Sequence, residues 1–460
     1  MKNLKHKVAV VGAGLAGSEA SLQLAKRGVN VTLFEMRPQT NTPVHKTSNF
    51  AELVCSNSLK STKEASAAGM LKYELAVLGS ELYQVALDTK VEAGGALAVD
   101  RDQFSKRATE LIENNDFIKV ANVEVDNLAS LASYDAVILA TGPMTSEKFA
   151  SVLGETISED FLHFYDAAAP IVMADSLNGD ILFSQNRYEG RENDGGDYLN
   201  APFSKGEYED FISELVNAKR VVLKEFETRE LFQACQPIEE VAKKGSDAPR
   251  FGALKPVGIT NPRTGMRPWA VVQLRAENKD KTAFNLVGFQ TNLTFSEQKR
   301  VFQMIPGLEN AEFARYGVMH KNIFLNAPKL LDANLSCDLL TEKVGVPVFV
   351  AGQLSGTEGY VEAIRSGLHA AISVAFQLEG ITAPKLPQET VFGSLVNYAT
   401  STETVDYQPM HVNFGIMKPL AERIKNKQKR YEAYALRGKA AIQKYALELS
   451  EKADFKTNQN

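Results

Sequence analysis

A near-continuous apolar run, KVAVV at residues 7–11, opens the hydrophobic pattern of the chain. A run of this kind predicts a strand that is buried on both faces of a parallel sheet. Helical spacing follows, with Ala16, Ala20 and Leu24 on one face and Gly28 where the helix would end. A second apolar run, NVTLF, predicts the next strand. This first stretch therefore predicts a β-turn-α-turn-β unit.

Three glycines in the turn of this unit have the spacing G-x-G-x-x-G. The first permits a tight turn, the second lets a pyrophosphate approach the backbone, and the third lets the helix pack closely on the strand. Glu35 follows at the end of the second strand, where a carboxylate can accept a hydrogen bond from a ribose hydroxyl. The pattern predicts a dinucleotide site on the helix N-terminus. Its predicted contacts are Gly12, Ala13, Gly14, Leu15, Ala16, Gly17 and Glu35.

The same strand-to-glycine pattern returns twice later in the chain. It occurs in YDAVILATGP, residues 134–143, and in VPVFVAGQLSGTEGYVEAIRSG, residues 346–367. Two such endings, matched to an N-terminal dinucleotide turn, are typical of flavoproteins of the FAD/NAD-disulfide-reductase type. The predicted fold class is therefore α/β, with a Rossmann-like FAD-binding domain. The additional cofactor contacts expected from these segments are Thr141, Gly142, Gly352, Gln353 and Gly356.

The middle of the chain differs from these segments in composition and in its pattern of predicted elements. A polar run rich in Gly, Asn and Asp is followed by one helical pattern, EYEDFISELVNAKRV, and by strand patterns such as RPWAVVQLRAEN and AFNLVGFQTNL. These features predict an inserted α+β domain that faces substrate. The expected division is a discontinuous FAD-binding domain at residues 1–180 and 326–445, the insert at 181–325, and a polar C-terminal tail at 446–460.

Between the dinucleotide turn and the insert, leucines recur at helical spacing. Leu71, Leu75, Leu78 and Leu82 fall at i, i+4, i+7 and i+11, which predicts one long helix.

Composition is that of an ordinary globular protein, with 44% hydrophobic and 23% charged residues in 460. No apolar run reaches the roughly 18 residues of a membrane span, and the short apolar start contains a glycine turn, unlike a secretory signal. The three cysteines are too widely spaced for a disulfide framework or a zinc site. We therefore expect a cytoplasmic protein without a membrane or metal partner.

Net charge is −5, which argues against a dominant nucleic-acid-binding surface but leaves room for a local one. Nine cations lie between residues 418 and 444, against only Glu422 and Glu432: Lys418, Arg423, Lys425, Lys427, Lys429, Arg430, Arg437, Lys439 and Lys444. This run fits either the solvated face of a C-terminal helix or a surface that follows phosphates. In the second case Tyr431 and Tyr434 would be stacking partners.

Cys55 lies in a polar loop, AELVCSNSLKS, and not on an apolar periodicity. Cys235 lies in FQACQPIEE, just before Pro237 and close to Glu239 and Glu240. Taken singly, either cysteine could be an inert buried thiol.

Longer blocks of sequence carry a resemblance. They are AELVCSNSLKS, FYDAAAPIV, GDYLNAPFSKGEYE, PIEEVAKKG, RFGALKPVG, NLVGFQTNL, EQKRVFQMIPGLENAEFARYGVMHKN, GTEGYVEAIRSGL and YQPMHVNFGI. Over nearly its whole length the chain resembles the bacterial flavin- and folate-dependent tRNA (uracil-5-)-methyltransferases. Larger flavoenzymes that modify wobble uridines in tRNA are similar in the flavin half but lack these blocks.

The resemblance implies an activity. Reduced FAD takes a one-carbon unit from 5,10-methylenetetrahydrofolate, the unit passes to C5 of the T-loop uridine of tRNA, and NADPH or NADH re-reduces the flavin. C5 of uracil becomes nucleophilic only after addition at C6, for which a thiolate is well suited, and a base must then remove the C5 proton. The resemblance assigns Cys235 to C6, with Cys55 as the base or as protector of the one-carbon unit. The two roles are interchangeable at this stage, and Cys337 is expected to be structural.

Other residues are carried over from the same blocks. Tyr360 is expected near the flavin and folate, with core packing as the alternative. Arg250 and Lys255 are candidates for folate or RNA anions, with ordinary surface cations as the alternative. Asn292 replaces the histidine of many relatives, which argues against stacking on the pterin, and Ala201 replaces a common cysteine. Around Cys235, Gln233, Ala234 and Gln236 replace the usual Glu, Gly and Leu.

Three alternatives stay open. The same chemistry could act on a uridine of ribosomal RNA, since the altered neighbours of Cys235 fit a divergent paralogue. A flavin oxidoreductase of the disulfide type would need a close cysteine pair, which the sequence lacks. A non-catalytic flavin-binding RNA module would retain its biological effect after replacement of both Cys55 and Cys235.

Overall fold

The computed structural model describes residues 6–42, 44–157, 161–167, 169–187, 196–221, 236–278, 280–317, 319–404, 407 and 409–457. Its strands are β1 (Lys7–Val11), β2 (Asn30–Phe34), β3 (Ser58–Ser61), β4 (Lys90–Val91), β5 (Ala96–Val99), β6 (Ile118–Ala121), β7 (Ala136–Leu139), β8 (Phe161–Ala167), β9 (Ile171–Met173), β10 (Phe183–Ser184), β11 (Tyr198–Phe203), β12 (Ala270–Ala276), β13 (Ala283–Leu286), β14 (Phe313–Arg315), β15 (Met319–Leu325) and β16 (Val348–Val350). Its α-helices are α1 (Leu15–Lys26), α2 (Ala67–Val77), α3 (Glu81–Asp88), α4 (Arg101–Glu113), α5 (Glu147–Ile157), α6 (Lys205–Asn217), α7 (Ile238–Lys243), α8 (Ala248–Phe251), α9 (Phe295–Phe302), α10 (Ala327–Leu330), α11 (Asp338–Val344), α12 (Tyr360–Leu378), α13 (Val391–Thr400) and α14 (Lys427–Thr457).

The first sheet is parallel, with strand order β16-β7-β1-β2-β6. Strand β1 lies in its middle, pairing Val8 with Val31 on one side and with Ala136 on the other. Helices α1 and α12 pack closely on each other. The absence of a side chain at Gly367 allows this, since a side chain there would collide with the carbonyl oxygen of Ala16. The predicted Rossmann-like α/β fold is confirmed, and its last strand and helix come from the distant C-terminal segment.

The prediction of one long leucine-rich helix is wrong, because this segment forms two helices. The structure has two helices, α2 and α3, separated at Leu78, Gly79 and Ser80. Gly79 has a φ of 69°, which favours glycine, and the Ser80 hydroxyl accepts a hydrogen bond from Tyr83 N to cap α3. The turn keeps Leu71, Leu75 and Leu82 fully buried, so the apolar periodicity alone could not reveal the break.

The second sheet is antiparallel between all of its neighbouring strands, in the order β10-β11-β12-β13-β9-β14, and has its own hydrophobic core. Helices α6 and α9 contribute Phe211, Leu215 and Phe302 to that core. Strand β9 belongs to this sheet although it precedes residue 181, where the sequence places the start of the insert. Strands β8 and β15 pair with each other and join the two parts of the molecule.

The last helix, α14, is 31 residues long and packs along α2. Ile442 and Tyr445 are buried in the first core, and a side chain at Gly438 would press on Met70. Residues 446–457, assigned to a polar tail in the predicted division, continue this helix. Among the described residues, none of the helices combines the length and apolarity needed to cross a bilayer.

Candidate active site

A cleft lies at the carboxyl ends of β1, β2 and β7. Ligands of open α/β sheets bind at this edge. The predicted cofactor residues that line the cleft are Gly12, Gly14, Leu15, Ala16, Glu35, Thr141, Gly142, Gly352, Gln353 and Tyr360. Ala13, Gly17 and Gly356 lie behind this surface. The structure thus gathers at one cleft three segments that are far apart in sequence.

Each glycine of the first turn is required, or tolerated, for a different structural reason. Gly12 has a φ of 100°, and a side chain there would lie 2.6 Å from the carbonyl oxygen of Ala140. A side chain at Gly17 would collide with the carbonyl oxygen of Gly12. At Gly14 a side chain would meet no protein atom within 4 Å, because this glycine faces the cleft. Gly14 therefore leaves space for a ligand, whereas the other two allow the backbone to fold.

The carboxylate of Glu35 is already held by the protein. One oxygen accepts from Ala13 N at 3.0 Å, and the other accepts from the Arg37 side chain at 2.9 Å. Burial by itself would raise the pKa of Glu35, but hydrogen bonds and charge from Arg37 hold it below its ordinary value. Arg37 also pairs with Glu52 at 3.3 Å, and both residues line the cleft. The sequence interpretation missed Arg37, although its position two residues after Glu35 was a usable signal.

The start of α12 closes one side of the cleft. Gly352 and Gly359, with φ values of 73° and 116°, turn the chain so that Tyr360 begins the helix beside the cleft. Gly356 also has a positive φ, 77°, and a side chain there would in addition collide with the Tyr407 hydroxyl group. Gly356 is therefore placed for packing against Tyr407 and not on the cleft surface. Gly359, which lines the cleft, was missed by the sequence interpretation.

The loop of Cys55 meets this same helix start. The Tyr360 hydroxyl oxygen accepts hydrogen bonds from Cys55 N at 2.7 Å and from Ser56 N at 3.1 Å. Cys55 itself is half-buried. Because Tyr360 lines the cleft, its hydroxyl fixes the Cys55 backbone at the edge of the candidate cofactor site.

Two arginines hold the carbonyl groups of the Cys55 loop. Arg315, from β14, donates to the Cys55 oxygen at 2.7 Å and to the Val54 oxygen at 3.0 Å. Arg101, the first residue of α4, donates to the Leu53 oxygen at 2.6 Å. The loop is thus held from both parts of the molecule, and neither arginine was identified from the sequence.

Asn57 joins the same loop to the second sheet. Its fully buried amide donates to the Ala276 oxygen at 2.8 Å and accepts from Arg275 Nε at 2.8 Å. Arg101 adds an ion pair with Glu277 at 2.7 Å. The Cys55 loop therefore lies at the junction of the two sheets, where a substrate on the insert could meet a cofactor in the cleft.

The surroundings of the loop are cationic. Burial and the neighbouring charge of Arg101 lower the pKa of Arg315, and burial with both arginines lowers the pKa of Lys46. Burial also raises the pKa of Tyr360, with the charge of Cys55 as a further cause, so the tyrosine stays protonated. Positive charge of this kind favours thiolates and anionic substrate groups.

Cys235 lies outside the described residues, as do Gln233 and Ala234. Downstream of it, Glu239 is fully buried and accepts from Asn292 N at 2.6 Å, while burial raises its pKa. Glu240 pairs with Arg220 at 2.9 Å. The two glutamates close to Cys235 in sequence thus hold the insert together.

Arg250 is largely committed to the insert. Its guanidinium stacks 3.8 Å above the Trp269 ring, donates to the Trp269 oxygen at 3.0 Å, and pairs with Asp247 at 2.9 Å. Lys255 is half-buried beyond the end of α8. This geometry gives Arg250 a structural role and favours the alternative to anion binding there.

Two further residues lie in cores. Ala201 is fully buried in β11, and Cys337 is fully buried in the core formed with α11 and β16. Burial raises the pKa of Cys337, which keeps it a neutral thiol. Both placements fit structural residues.

The basic C-terminal run uses its aromatic residues internally. Phe414 stacks on Tyr431 and Tyr434, with ring centres 4.1 Å and 5.4 Å apart. The cations that have carboxylate partners are Lys418 with Glu389, Lys439 with Glu64, and Lys444 with Glu448. This arrangement favours the solvated helix face for that part of the run.

Comparison with known proteins defines the class first. The family model described as "Glucose inhibited division protein A" matches residues 7–382. In fold, the chain is similar to GidA of Aquifex aeolicus in its form II crystal, with a TM-score of 0.68 at 16% identity, covering 99% of this chain and 76% of that one. The structural likeness shows the fold, and the family model, which spans most of the chain, identifies the class.

Two relatives narrow the class. The chain is 47% identical over 441 residues to the methylenetetrahydrofolate–tRNA-(uracil-5-)-methyltransferase TrmFO of Acetivibrio thermocellus, covering 96% of this chain and 99% of that protein. It is 48% identical over 439 residues to the TrmFO of Bacillus subtilis, covering 95% and 98%. The chain therefore belongs to the glucose-inhibited division protein A family and, within it, to the methylenetetrahydrofolate–tRNA-(uracil-5-)-methyltransferases.

Proposed function

We propose that this enzyme methylates C5 of a uridine in tRNA, with 5,10-methylenetetrahydrofolate as the one-carbon donor and FAD as the resident cofactor. The observation that carries the proposal is the position of Cys55. Its backbone is held by Tyr360, at the helix start that closes the glycine-lined cleft. A thiol placed there supports a reaction in which a sulfur atom works next to the flavin.

The residues of the cleft fit FAD. Gly14 offers open space over the N-terminus of α1, which suits a pyrophosphate. Glu35, kept ionised by Arg37, retains lone pairs that can accept from a ribose hydroxyl. Gly352, Gln353 and Tyr360 would hold the ring end. When bound, reduced flavin supplies the hydride and relays the one-carbon unit.

The protein's own groups would then work on the base. The Cys235 thiolate adds to C6 of uracil, forming a C–S bond and moving an electron pair toward C5, which attacks the one-carbon unit. The Cys55 sulfur, as thiolate, accepts the proton from C5, and the electron pair left behind expels the carrier of the one-carbon unit. The hydride that the flavin would supply then adds to this carbon, and the C–S bond to Cys235 breaks as the methyl group forms. Arg101 and Arg315 keep the Cys55 loop in place during this exchange. The two cysteine roles remain interchangeable in this proposal.

We take the T-loop uridine of tRNA as the target and either NADPH or NADH as the reductant. Ribosomal RNA is the second candidate, motivated by the altered residues around Cys235. Mapping 5-methyluridine in RNA from a deletion strain distinguishes them. Loss of the methyl group from ribosomal RNA, with intact T-loop methylation, would reject the tRNA target.

The direct test follows tritium release from uridine C5 of a T-arm transcript, with methylenetetrahydrofolate and NADPH or NADH. We expect Cys235→Ala and Cys55→Ala to abolish release while each variant keeps its flavin. Cys337→Ala is the matched control and should retain release. Unchanged release by Cys235→Ala would remove the nucleophile proposed here, and full activity of both variants would point to a non-catalytic role.

A further inference from the structure

Three aromatic side chains of the insert form a continuous stack. The ring of Tyr316 lies parallel to Phe313 on one side and to Phe295 on the other, with ring centres 4.9 Å apart in each pair. The interplanar angles are 14° and 16°. These three residues, called the aromatic ladder below, come from β14, the residue after it, and the start of α9.

The two ends of the aromatic ladder face different surroundings. Phe313 packs against the core of the insert, so the inner end is anchored. Phe295 is 54% exposed, so the outer end faces solvent. The first turn of α9 is held by Gln298, whose buried amide donates to the Leu293 and Gly317 oxygens at 2.8 Å each. The outer ring is therefore presented by a fixed support.

Cations lie close to the exposed ring. Lys299 is four residues after Phe295 on the same helix, hence on the same face. Lys219 is adjacent, since its carbonyl oxygen accepts from Thr294 N at 3.1 Å. Both lysines are exposed. The nearby Glu297 is engaged by Arg300 at 2.7 Å, which reduces its repulsion of an anion.

The aromatic ladder is also linked to the candidate active site. Arg315 lies in sequence between Phe313 and Tyr316, and its guanidinium binds the Cys55 carbonyl at 2.7 Å. Lys46 reaches the same strand, donating to the Ala314 oxygen at 3.4 Å. Only the length of one arginine side chain separates the strand of the ladder from the thiol loop.

We propose that the outer face of Phe295 is a stacking site for an unpaired nucleobase of the RNA substrate, next to the nucleotide that enters the active site. This inference rests on the proposed function and deepens it. A base has an apolar face that matches an exposed ring and a flanking phosphate that matches Lys219 and Lys299. A purely apolar partner would leave both lysines without a counter-charge.

The test uses a T-arm stem-loop transcript with 2-aminopurine at one unpaired position at a time. Stacking on a ring quenches this base, so at least one position should lose fluorescence on binding to the holoenzyme. Phe295→Ala should restore that signal and weaken RNA binding about 5- to 100-fold at fixed salt. Phe295→Trp and Phe295→Tyr should retain both quenching and affinity.

Phe117→Ala is the matched control. Phe117 is a 36% exposed phenylalanine just before β6, at the amino end of the outer strand of the first sheet and away from the cleft. The Phe117→Ala variant should bind RNA with the affinity of the parent. An unaltered affinity of Phe295→Ala, an equal loss in Phe117→Ala, or no rescue by Trp and Tyr would overturn the stacking site.

Binding and methylation separate the two proposals. If RNA binds in a Phe295-dependent way but is not methylated, the stacking site stands and the proposed function fails. If RNA is methylated but Phe295→Ala binds it with the affinity of the parent, the function stands and the stacking site fails.

Discussion

The hydroxyl oxygen of Tyr360 accepts from two successive backbone N–H groups, those of Cys55 and Ser56. A backbone N–H buried without an acceptor costs about 1–3 kcal/mol, so this oxygen stabilises the loop as well as placing it. Tyr360 also lines the cleft. One side chain thus connects the candidate flavin site to the thiol.

A lysine near this region allows a test by pH. Lys72 in α2 is 2% exposed, and its ammonium donates to the Ser61 and Ala68 oxygens. Burial lowers its pKa to about 8, with Glu362 opposing and Lys60 adding to the shift. Above about pH 8 the folded state binds fewer protons here than the unfolded state, so this lysine destabilises the protein less as the pH rises.

Lys72→Met removes this dependence. We expect its free energy of unfolding, relative to the parent, to fall by about 1–2 kcal/mol between about pH 7.5 and about pH 9.5, because only the parent gains stability. Urea unfolding at each pH measures the difference, with exposed Lys90→Met as the control. A difference that stays flat, or rises with pH, would contradict the lowered pKa.

At this scale the sequence revealed residues that belong to a local pattern. Gly14 and Glu35 could be predicted because their reason lies within one turn and one strand. Arg101 and Arg315 could not, since their acceptors are carbonyl groups of a loop 46 to 261 residues away. Any arginine can fill such a role, and only the fold selects which one does.

Among the elements, the glycine turn shows two distinct constraints. Gly17 is needed by the fold, because a side chain there would collide with the Gly12 carbonyl. Gly14 is not needed by the fold, because a side chain there would project into the cleft.

The two glycines therefore predict opposite behaviour. Gly17→Ala should lower the melting temperature even though alanine favours helices. Gly14→Ala should keep the melting temperature of the flavin-depleted protein but lose flavin absorbance after purification.

Gly154→Ala provides the control for helix propensity. Gly154 lies inside α5 with no atom within 4 Å of the added carbon, so this change should stabilise by about 0.5–1 kcal/mol. Retention of flavin by Gly14→Ala would show that no phosphate lies over this turn.

The elements themselves were largely predictable, because β1, α1, β2, β7 and β16 have strong apolar patterns. The break between α2 and α3 was not predictable, because the leucines before and after the turn, Leu75 and Leu82, are both buried. Only Gly79 and Ser80 carried the signal, and both residue types also occur within helices.

For the whole molecule, the essential contact is between the insert and the Cys55 loop. Arg315 reaches from β14 to two successive carbonyl oxygens, which a lysine cannot reproduce because it lacks the planar fork. Arg315→Lys should therefore reduce kcat/KM for tritium release about tenfold or more, since a partly buried carbonyl of the Cys55 loop loses its donor. Flavin absorbance should stay as in the parent.

Arg263→Lys is the corresponding control in the same insert. Arg263 also binds backbone carbonyls, those of Gly179 and Ile181, but in an exposed loop outside the cleft. We expect its kcat/KM to match the parent. Equal losses in the two variants would mean that the insert is generally destabilised and that Arg315 has no special place.

The parallel sheet also has a consequence for synthesis on the ribosome. One of its two edge strands, β16, and helix α12, which packs on α1, are made only after the whole insert has been translated. A nascent chain that carries the glycine turn and Cys55 still lacks the start of α12, which completes the cleft and holds the Cys55 backbone. We expect cofactor loading to be a late, post-translational event, and fragments that end before β16 to be flavin-free.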